Sequence, residues 1–421
     1  MNGNISKLIT TFITLLFAWA TVAAQPRTMY VMKDGNVVYQ SIVSDIDSIF
    51  FGDPVVDVPE TKITSTMYVD RAARFEGTHS NTFLTNGKVE LIGGATNGTY
   101  TSQEFSTSVT FTRLVGSWNV SHIDISGSTV EVEFRVKTTA GVWSGWLSYR
   151  QWGFNRNSNA SCTTTNTLNG KSNTTAGIAR IVDDEIMALS GQSTTYNAFQ
   201  YRVTLRRSNT STASPKLKAI SATLRCSSGD SFDAPSAAKE WPITGSNILR
   251  QQDVPSIGGS ICSPTSITML MVHKGVTSFG GCTYKQEYTA RKIVYDGSLY
   301  GNWSFGCSAM GSWEETDYIA YARHVYSINE IAQILTQGPI AASIQGNSAA
   351  GAFVDTTGRT QYNGAGHLIV VRGFEMSGGA VSAFLISDPN HATNTQIWKD
   401  YKVTPDMLLK CLVSKITYVL E

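Results

Sequence analysis

Gly258-Gly259-Ser260-Ile261-Cys262-Ser263-Pro264-Thr265-Ser266, running straight into Ile267-Thr268-Met269-Leu270-Met271-Val272, is the stretch on which the rest of the chain turns. The glycines close an extended run. Pro264 suits the first turn of a helix, where its missing N–H would find no partner anyway, and the apolar residues that follow have helical spacing. The pattern predicts a helix that opens at Cys262 and ends near Gly275. A helix N-terminus carries unpaired N–H groups and about half a positive charge, which favours thiolate over thiol. A thiolate is the nucleophile of a cysteine hydrolase. The plainer reading of this cysteine is a buried structural residue or half of a disulfide, because cysteine is among the most buried residue types.

A second stretch, about a hundred residues on, weighs on that choice. His367-Leu368-Ile369-Val370-Val371-Arg372-Gly373-Phe374 and Val381-Ser382-Ala383-Phe384-Leu385-Ile386-Ser387-Asp388 are rich in β-branched and aromatic residues and are joined across Ser377-Gly378-Gly379. They read as adjacent antiparallel strands. A turn centred between Ser377 and Gly378 sets Ile369 opposite Ile386, Val371 opposite Phe384 and His367 opposite Asp388. Directly opposed residues share a face, with Cβ atoms roughly 4.5 to 5.5 Å apart, and a slip of one residue would part them. A carboxylate so placed orients an imidazole and stabilises its charged form. Read alone, His367 caps a strand and Asp388 opens the Asp388-Pro389-Asn390 turn; with Cys262 upstream, the order Cys, His, Asp acquires chemical meaning.

Residues 247–421 resemble the peptidase C39-like group of papain-fold cysteine peptidases. The matching pieces are the Gly-Gly run with Cys262-Ser263-Pro264-Thr265-Ser266, then Tyr295-Asp296-Gly297 with Gly301-Asn302-Trp303-Ser304-Phe305, then Gly366 to Phe374, and Ser387-Asp388-Pro389. The resemblance implies an α+β papain-like domain in which Cys262 is nucleophile, His367 general base and acid, and Asp388 the orienting group. It also implies a glutamine upstream of the nucleophile, Gln252 or Gln251, whose amide joins the Cys262 backbone N–H in an oxyanion hole. Ser263 stands where many relatives have glycine. Asn302 and Trp303 match the family, and they either support a wall of the cleft or serve structural packing. His391 is a rival imidazole, but it falls past Pro389 in a turn.

Elsewhere in this part, Ser327-Ile328-Asn329-Glu330 is a capping box, opening a helix through Ile331, Ile334 and Leu335 that Gly338-Pro339 stops. Pro339 to Ile344 then reads as a strand feeding the sheet that carries His367.

The 33 basic and 32 acidic residues nearly cancel, which gives no reason to expect nucleic acid or an anionic membrane as partner. Residues 1–24 carry Lys7, an apolar run from Ile9 to Trp19 and Val22-Ala23-Ala24, the pattern of a cleaved secretory signal. No cysteine follows to take a lipid anchor and no later run is long enough to cross a membrane, so a secreted or periplasmic location is expected. Export makes a disulfide feasible, and Cys282 with Cys307 is the favoured pair, both lying near Gly-rich loops. The six histidines show no metal-ligand spacing, so no metal or other cofactor is expected.

Residues 25–53 form a small hairpin unit around Asp34-Gly35, and 54–64 a linker. From 65 to 226 the pattern is that of an all-β sandwich: Val130 to Val136 and Phe199 to Arg206 alternate apolar and polar residues with period two. This part bears a general likeness to galactose-binding-like jelly rolls, which implies a glycan or cell-surface ligand. Trp118, Trp143, Trp146 and Trp152 are either stacking residues for such a ligand or core. Residues 227–246 join the two parts. The expected whole is a multidomain secreted cysteine peptidase acting on a peptide or protein substrate. The alternatives are a binding or adhesion protein with an inactive peptidase-like domain, and a cell-wall peptide amidase or transpeptidase using the same residues.

Overall fold

The structure is a computed structural model that describes residues 28–33, 36–42, 64–71, 75–122, 127–153, 175–182, 184–244, 247–293, 300–313, 318–346, 351–391 and 401–421. The signal segment 1–24, nearly all of the 54–64 linker, Cys162 and Tyr295-Asp296-Gly297 lie outside them. The chain forms two compact units, Met1–Asp57 and Val58–Glu421. In the first, Thr28–Lys33 pairs antiparallel with Asn36–Ile42, Lys33 meeting Asn36 across the two positions expected to turn.

The second unit is mostly β with few helices. In its N-terminal β-rich region the 17-residue strand Phe105–Ser121 is the hub: Lys216–Cys226, Glu185–Ala188 and Tyr196–Arg206 all pair with it antiparallel. Thr129–Thr138 pairs with Tyr196–Arg206 and shows the expected alternation, with Val130, Val132, Phe134 and Val136 wholly buried. Its other face carries Glu131 and Glu133, paired with Arg206 at 2.9 Å and Arg202 at 2.6 Å. Such partly exposed ion pairs contribute about 0–1 kcal/mol each, whereas burying one Val or Phe contributes about 1.5–3 kcal/mol, so the apolar row fixes the register. The tryptophans divide two and two. Trp118 and Trp152 lie in the core, while Trp143 and Trp146 are half-buried beneath Arg135, at 4.4 and 4.8 Å from their ring centres.

In the C-terminal part the strands lie side by side in the order Ala320–His324, Leu412–Leu420, Ile340–Ile344, His367–Ser377, Ala380–Ser387, Lys402–Val403, all antiparallel. Five helices accompany them among the described residues: α1 (Cys262–His273), α2 (Lys285–Ile293), α3 (Trp303–Gly311), α4 (Ile328–Gln337) and α5 (Pro405–Cys411). Alternate residues of the His367 strand face opposite cores, Leu368 and Val370 towards α1, Ile369 and Val371 towards α4. The expected capping box opens α4: Ser327 Oγ accepts the Glu330 N–H at 3.1 Å, although the Glu330 carboxylate takes the Tyr326 N–H and Arg323 instead of reaching back to Ser327.

Helix α1 is buried from Ser263 to Met271, because the sheet covers one side and the β-rich region lies in the same core beyond it. Trp118 meets Phe305 of α3 edge-on with ring centres 5.7 Å apart. The outer edge of the Ala320–His324 strand is closed by side chains of the β-rich region. The Ala320 N–H donates to Asn119 Oδ1 at 2.6 Å, Ala322 N–H to Ser117 Oγ at 3.4 Å, and His324 N–H to Thr223 Oγ1 at 2.7 Å. Asn119 also donates through Nδ2 to the Ala320 carbonyl at 2.7 Å, imitating a neighbouring strand. A methyl group at Gly311 would overlap the Asn119 amide, so glycine there lets α3 approach.

Candidate active site

Cys262 is the first residue of α1, as the sequence pattern predicts, and is half-buried. His367 opens the central strand, and Asp388 follows the last residue of the next; both are buried. His367 Nε2 lies 2.7 Å from Asp388 Oδ1. With Nε2 on Asp388, the opposite edge of the imidazole, Nδ1, is left for the Cys262 sulfur, with which the ring interacts electrostatically. Asp388 Oδ1 also accepts the Asn390 N–H at 2.8 Å, so the turn itself aims the carboxylate. Ser266 Oγ, one turn along α1, donates to the Leu368 carbonyl at 3.0 Å and ties the cysteine helix to the residue beside His367.

Burial opposes charge on both Cys262 and His367, but their mutual hydrogen bond and attraction oppose that penalty. For Cys262 the His367 contacts, with the Leu368 and Ser263 backbone, bring the thiol below its ordinary value. For His367 the Asp388 bond and the sulfur push the imidazole up to about 10. The two groups titrate as a pair, and each shift favours the charged form, thiolate for Cys262 and imidazolium for His367.

Tyr362 covers the imidazole, its ring stacked on that of His367 with centres 4.9 Å apart and planes 28° apart. Its hydroxyl donates to the Gly366 carbonyl at 2.6 Å and accepts the Gly366 N–H at 3.2 Å. The hairpin bearing Tyr362 is locked by Asp355, whose carboxylate accepts from Thr357, Arg359 and Gln361.

Both glutamines sit in the 3-10 turn Gln251–Asp253, which docks on the Asp388 turn. Gln251 N–H donates to the Pro389 carbonyl at 2.8 Å, and Gln252 Nε2 to Asn390 Oδ1 at 3.0 Å. The Gln251 side chain is buried, with Nε2 on the Gly258 carbonyl at 2.8 Å and Oε1 meeting no hydrogen-bond partner among the described residues. Gln252 is exposed.

Two expectations are corrected. The strand register is set two residues away from the expected one, with Val370 opposite Ser387 and Val371 opposite Ile386, then shifts again before Gly373. Continuing it would place Asp388 opposite Ile369, one diagonal from His367. A two-residue slip keeps the face, which is why the His–Asp contact survives where a one-residue slip would have ended it. Cys307 is a buried free thiol while Cys282 is disulfide-bonded, so the two are not partners. Asn302 has the structural one of its two expected roles: its Oδ1 caps α3 by accepting the Phe305 N–H at 2.8 Å, and its Nδ2 donates to Asp184 of the β-rich region. An asparagine immediately before a helix is a cap signal that could have found this role. Nothing in the sequence marks Tyr362. His391 is anchored by its backbone, its N–H on the Asp388 carbonyl at 3.2 Å, and the imidazole that acts on the Cys262 thiol is that of His367.

Residues 244–410 match the family model described as Peptidase C39 like family, and residues 76–224 match that of the Peptidase C39 N-terminal domain. The two matches together support a C39-like peptidase with its catalytic part C-terminal. No curated protein matches it. Among solved structures, a Podospora anserina GH26-CBM35 β-(1,4)-mannanase is similar at 12% identity over 44% of this chain and 33% of that one, with a TM-score of 0.18. The infectious bursal disease virus Gt strain structure is similar at 11% identity over 52% of each chain, with a TM-score of 0.14. The match thus spans a third of the mannanase chain, and likenesses this slight carry no argument about fold or function.

Proposed function

We propose that the protein is a secreted or periplasmic cysteine peptidase that hydrolyses peptide bonds in a peptide or protein substrate, with Cys262, His367 and Asp388 as its triad. In this reading the C-terminal part is a papain-like α+β domain and the N-terminal part a β-sandwich. The observation that carries it is the imidazole of His367 held between Asp388, at 2.7 Å, and the sulfur at the head of α1.

The Cys262 thiolate attacks the scissile carbonyl to give a tetrahedral oxyanion. The Cys262 backbone N–H and the amide of Gln252 or Gln251 stabilise that charge. The His367 imidazolium gives its proton to the departing amine, leaving a thioester on Cys262. Neutral His367 then takes a proton from water, whose oxygen attacks the thioester and releases the acid. Asp388 fixes the ring and stabilises its charged form throughout. This acyl transfer needs no cofactor.

The test is covalent labelling by a thiol-directed peptide probe. The wild type should label at Cys262 faster than a free thiol does at pH 6, and both Cys262→Ala and His367→Ala should abolish labelling and turnover. A wild-type rate no greater than that of a free thiol would overturn the reading. Gln252→Ala and Gln251→Ala decide the oxyanion donor, since losing it costs about 10²–10³ in kcat.

A further inference from the structure

A cleft of about 510 Å³ opens on the β-rich region, lined by Arg113, Arg180 and Arg225 and walled by the loop that carries Gln192, Ser193 and Thr194. The arginines come together through register. Arg180 is opposite Met187, Met187 opposite Arg113, and Arg113 opposite Arg225, on four strands lying side by side. Directly opposed residues point to one face, so three guanidiniums stand in one transverse row across the sheet.

Like charges on directly opposed positions destabilise a sheet, and a threonine at position 225 would suit a strand better. Only part of the charge is answered. Arg113 is paired with Glu185, and Arg180 donates Nε to the Ala188 carbonyl at 3.2 Å. Among the described residues no acceptor meets the Arg225 guanidinium. The field reaches the adjoining core: after burial, Arg225, Lys415 and Arg113 are what hold His324 below its ordinary value. Charge set against the needs of the sheet, around a cleft, is the signature of a site for a ligand.

We propose that this arginine row binds an acidic polysaccharide, taking its sulfate or carboxylate groups. Guanidinium forks match planar or tetrahedral oxyanions, forming two N–H···O bonds to each. The wall supplies hydroxyl and amide groups from Gln192, Ser193 and Thr194, which match sugar hydroxyls, and Met187, Ala188 and Leu189 give it an apolar side on which the face of a sugar ring can rest. The row would hold the enzyme on an anionic glycan matrix while the cysteine site works elsewhere on the chain.

Isothermal titration of the full chain tests this with four probes: a heparin-derived hexasaccharide, an oligogalacturonate, neutral dextran of similar length, and polyglutamate. The wild type should bind one or both acidic glycans, more weakly as salt is raised, and should ignore dextran. Which of the two binds tells sulfate from carboxylate. The double variant Arg180→Gln, Arg225→Gln should lose at least about tenfold in affinity, since each charge-assisted fork is worth more than that. Its thermal midpoint should be unchanged or higher, because repulsion is relieved while the Arg113–Glu185 pair is left in place. Equal affinity in the folded double variant, dextran bound as well as the acidic glycans, no binding of either acidic glycan, or polyglutamate bound in preference to them would each overturn the proposal.

Discussion

Asp388, Cys262 and Tyr362 together set the state of His367. Because the raised imidazole keeps its proton until about pH 10, kcat/KM should rise on the acid side as Cys262 ionises and fall only as pH passes about 10. A fall centred near neutrality would mean that the pair is not held charged. The stacked face of Tyr362 favours the imidazolium by about 1 kcal/mol, roughly fivefold in rate. Tyr362→Ala should therefore lower kcat and move the alkaline limb down, while Tyr362→Phe keeps both; equal losses in the two variants would assign the effect to the hydroxyl. A different histidine governs acid stability. His324 is buried against Tyr326, with Arg225, Lys415 and Arg113 in its field, and its imidazole is pushed down to about 3. The unfolded chain protonates it near 6.5, so its neutral form supports the fold fully above about pH 6.5, and that support is lost as pH falls towards 3, at about 1.4 kcal/mol per unit. Urea unfolding at pH 7 and pH 4 should show a steeper loss in the wild type than in His324→Leu.

Elements carried the legible part of this protein. The helix at Cys262 follows from Gly-Gly, Pro264 and an apolar run, and the strand Thr129–Thr138 from its strict alternation, because both signals are local. The contact between His367 and Asp388 was readable because a register error of two residues conserves the face. The bulge before Gly373 was not readable, since it depends on the short Lys239–Glu240 strand pairing with Phe374 and Gly373 from outside the hairpin. The role of Asn302 stays open in the sequence, between cleft wall and packing, for the same kind of reason: its partner Asp184 stands more than a hundred residues earlier. Asn302→Ala should remove the α3 cap and the bond to Asp184, costing about 1–3 kcal/mol in denaturant unfolding. A change under about 0.5 kcal/mol would show that water replaces the cap.

At the scale of the molecule, the β-rich region and the cysteine helix share one core. Trp118→Ala should cost about 3–5 kcal/mol, as large aromatic truncations in cores do. A fragment of residues 227–421 should give no cooperative calorimetric transition, because α1 and α3 would lose the layer above them. A sharp transition would show that the layer is dispensable. The side chains of Asn119, Ser117 and Thr223 that occupy the N–H row of Ala320, Ala322 and His324 extend the point to ancestry. Bare strand margins invite pairing between molecules. A recombination event that joined this peptidase half to an unrelated amino-terminal module would leave such a margin open and yield an aggregating hybrid. The two halves are therefore expected to be inherited as a couple, with Asn119 and the Ala320 strand changing together or not at all.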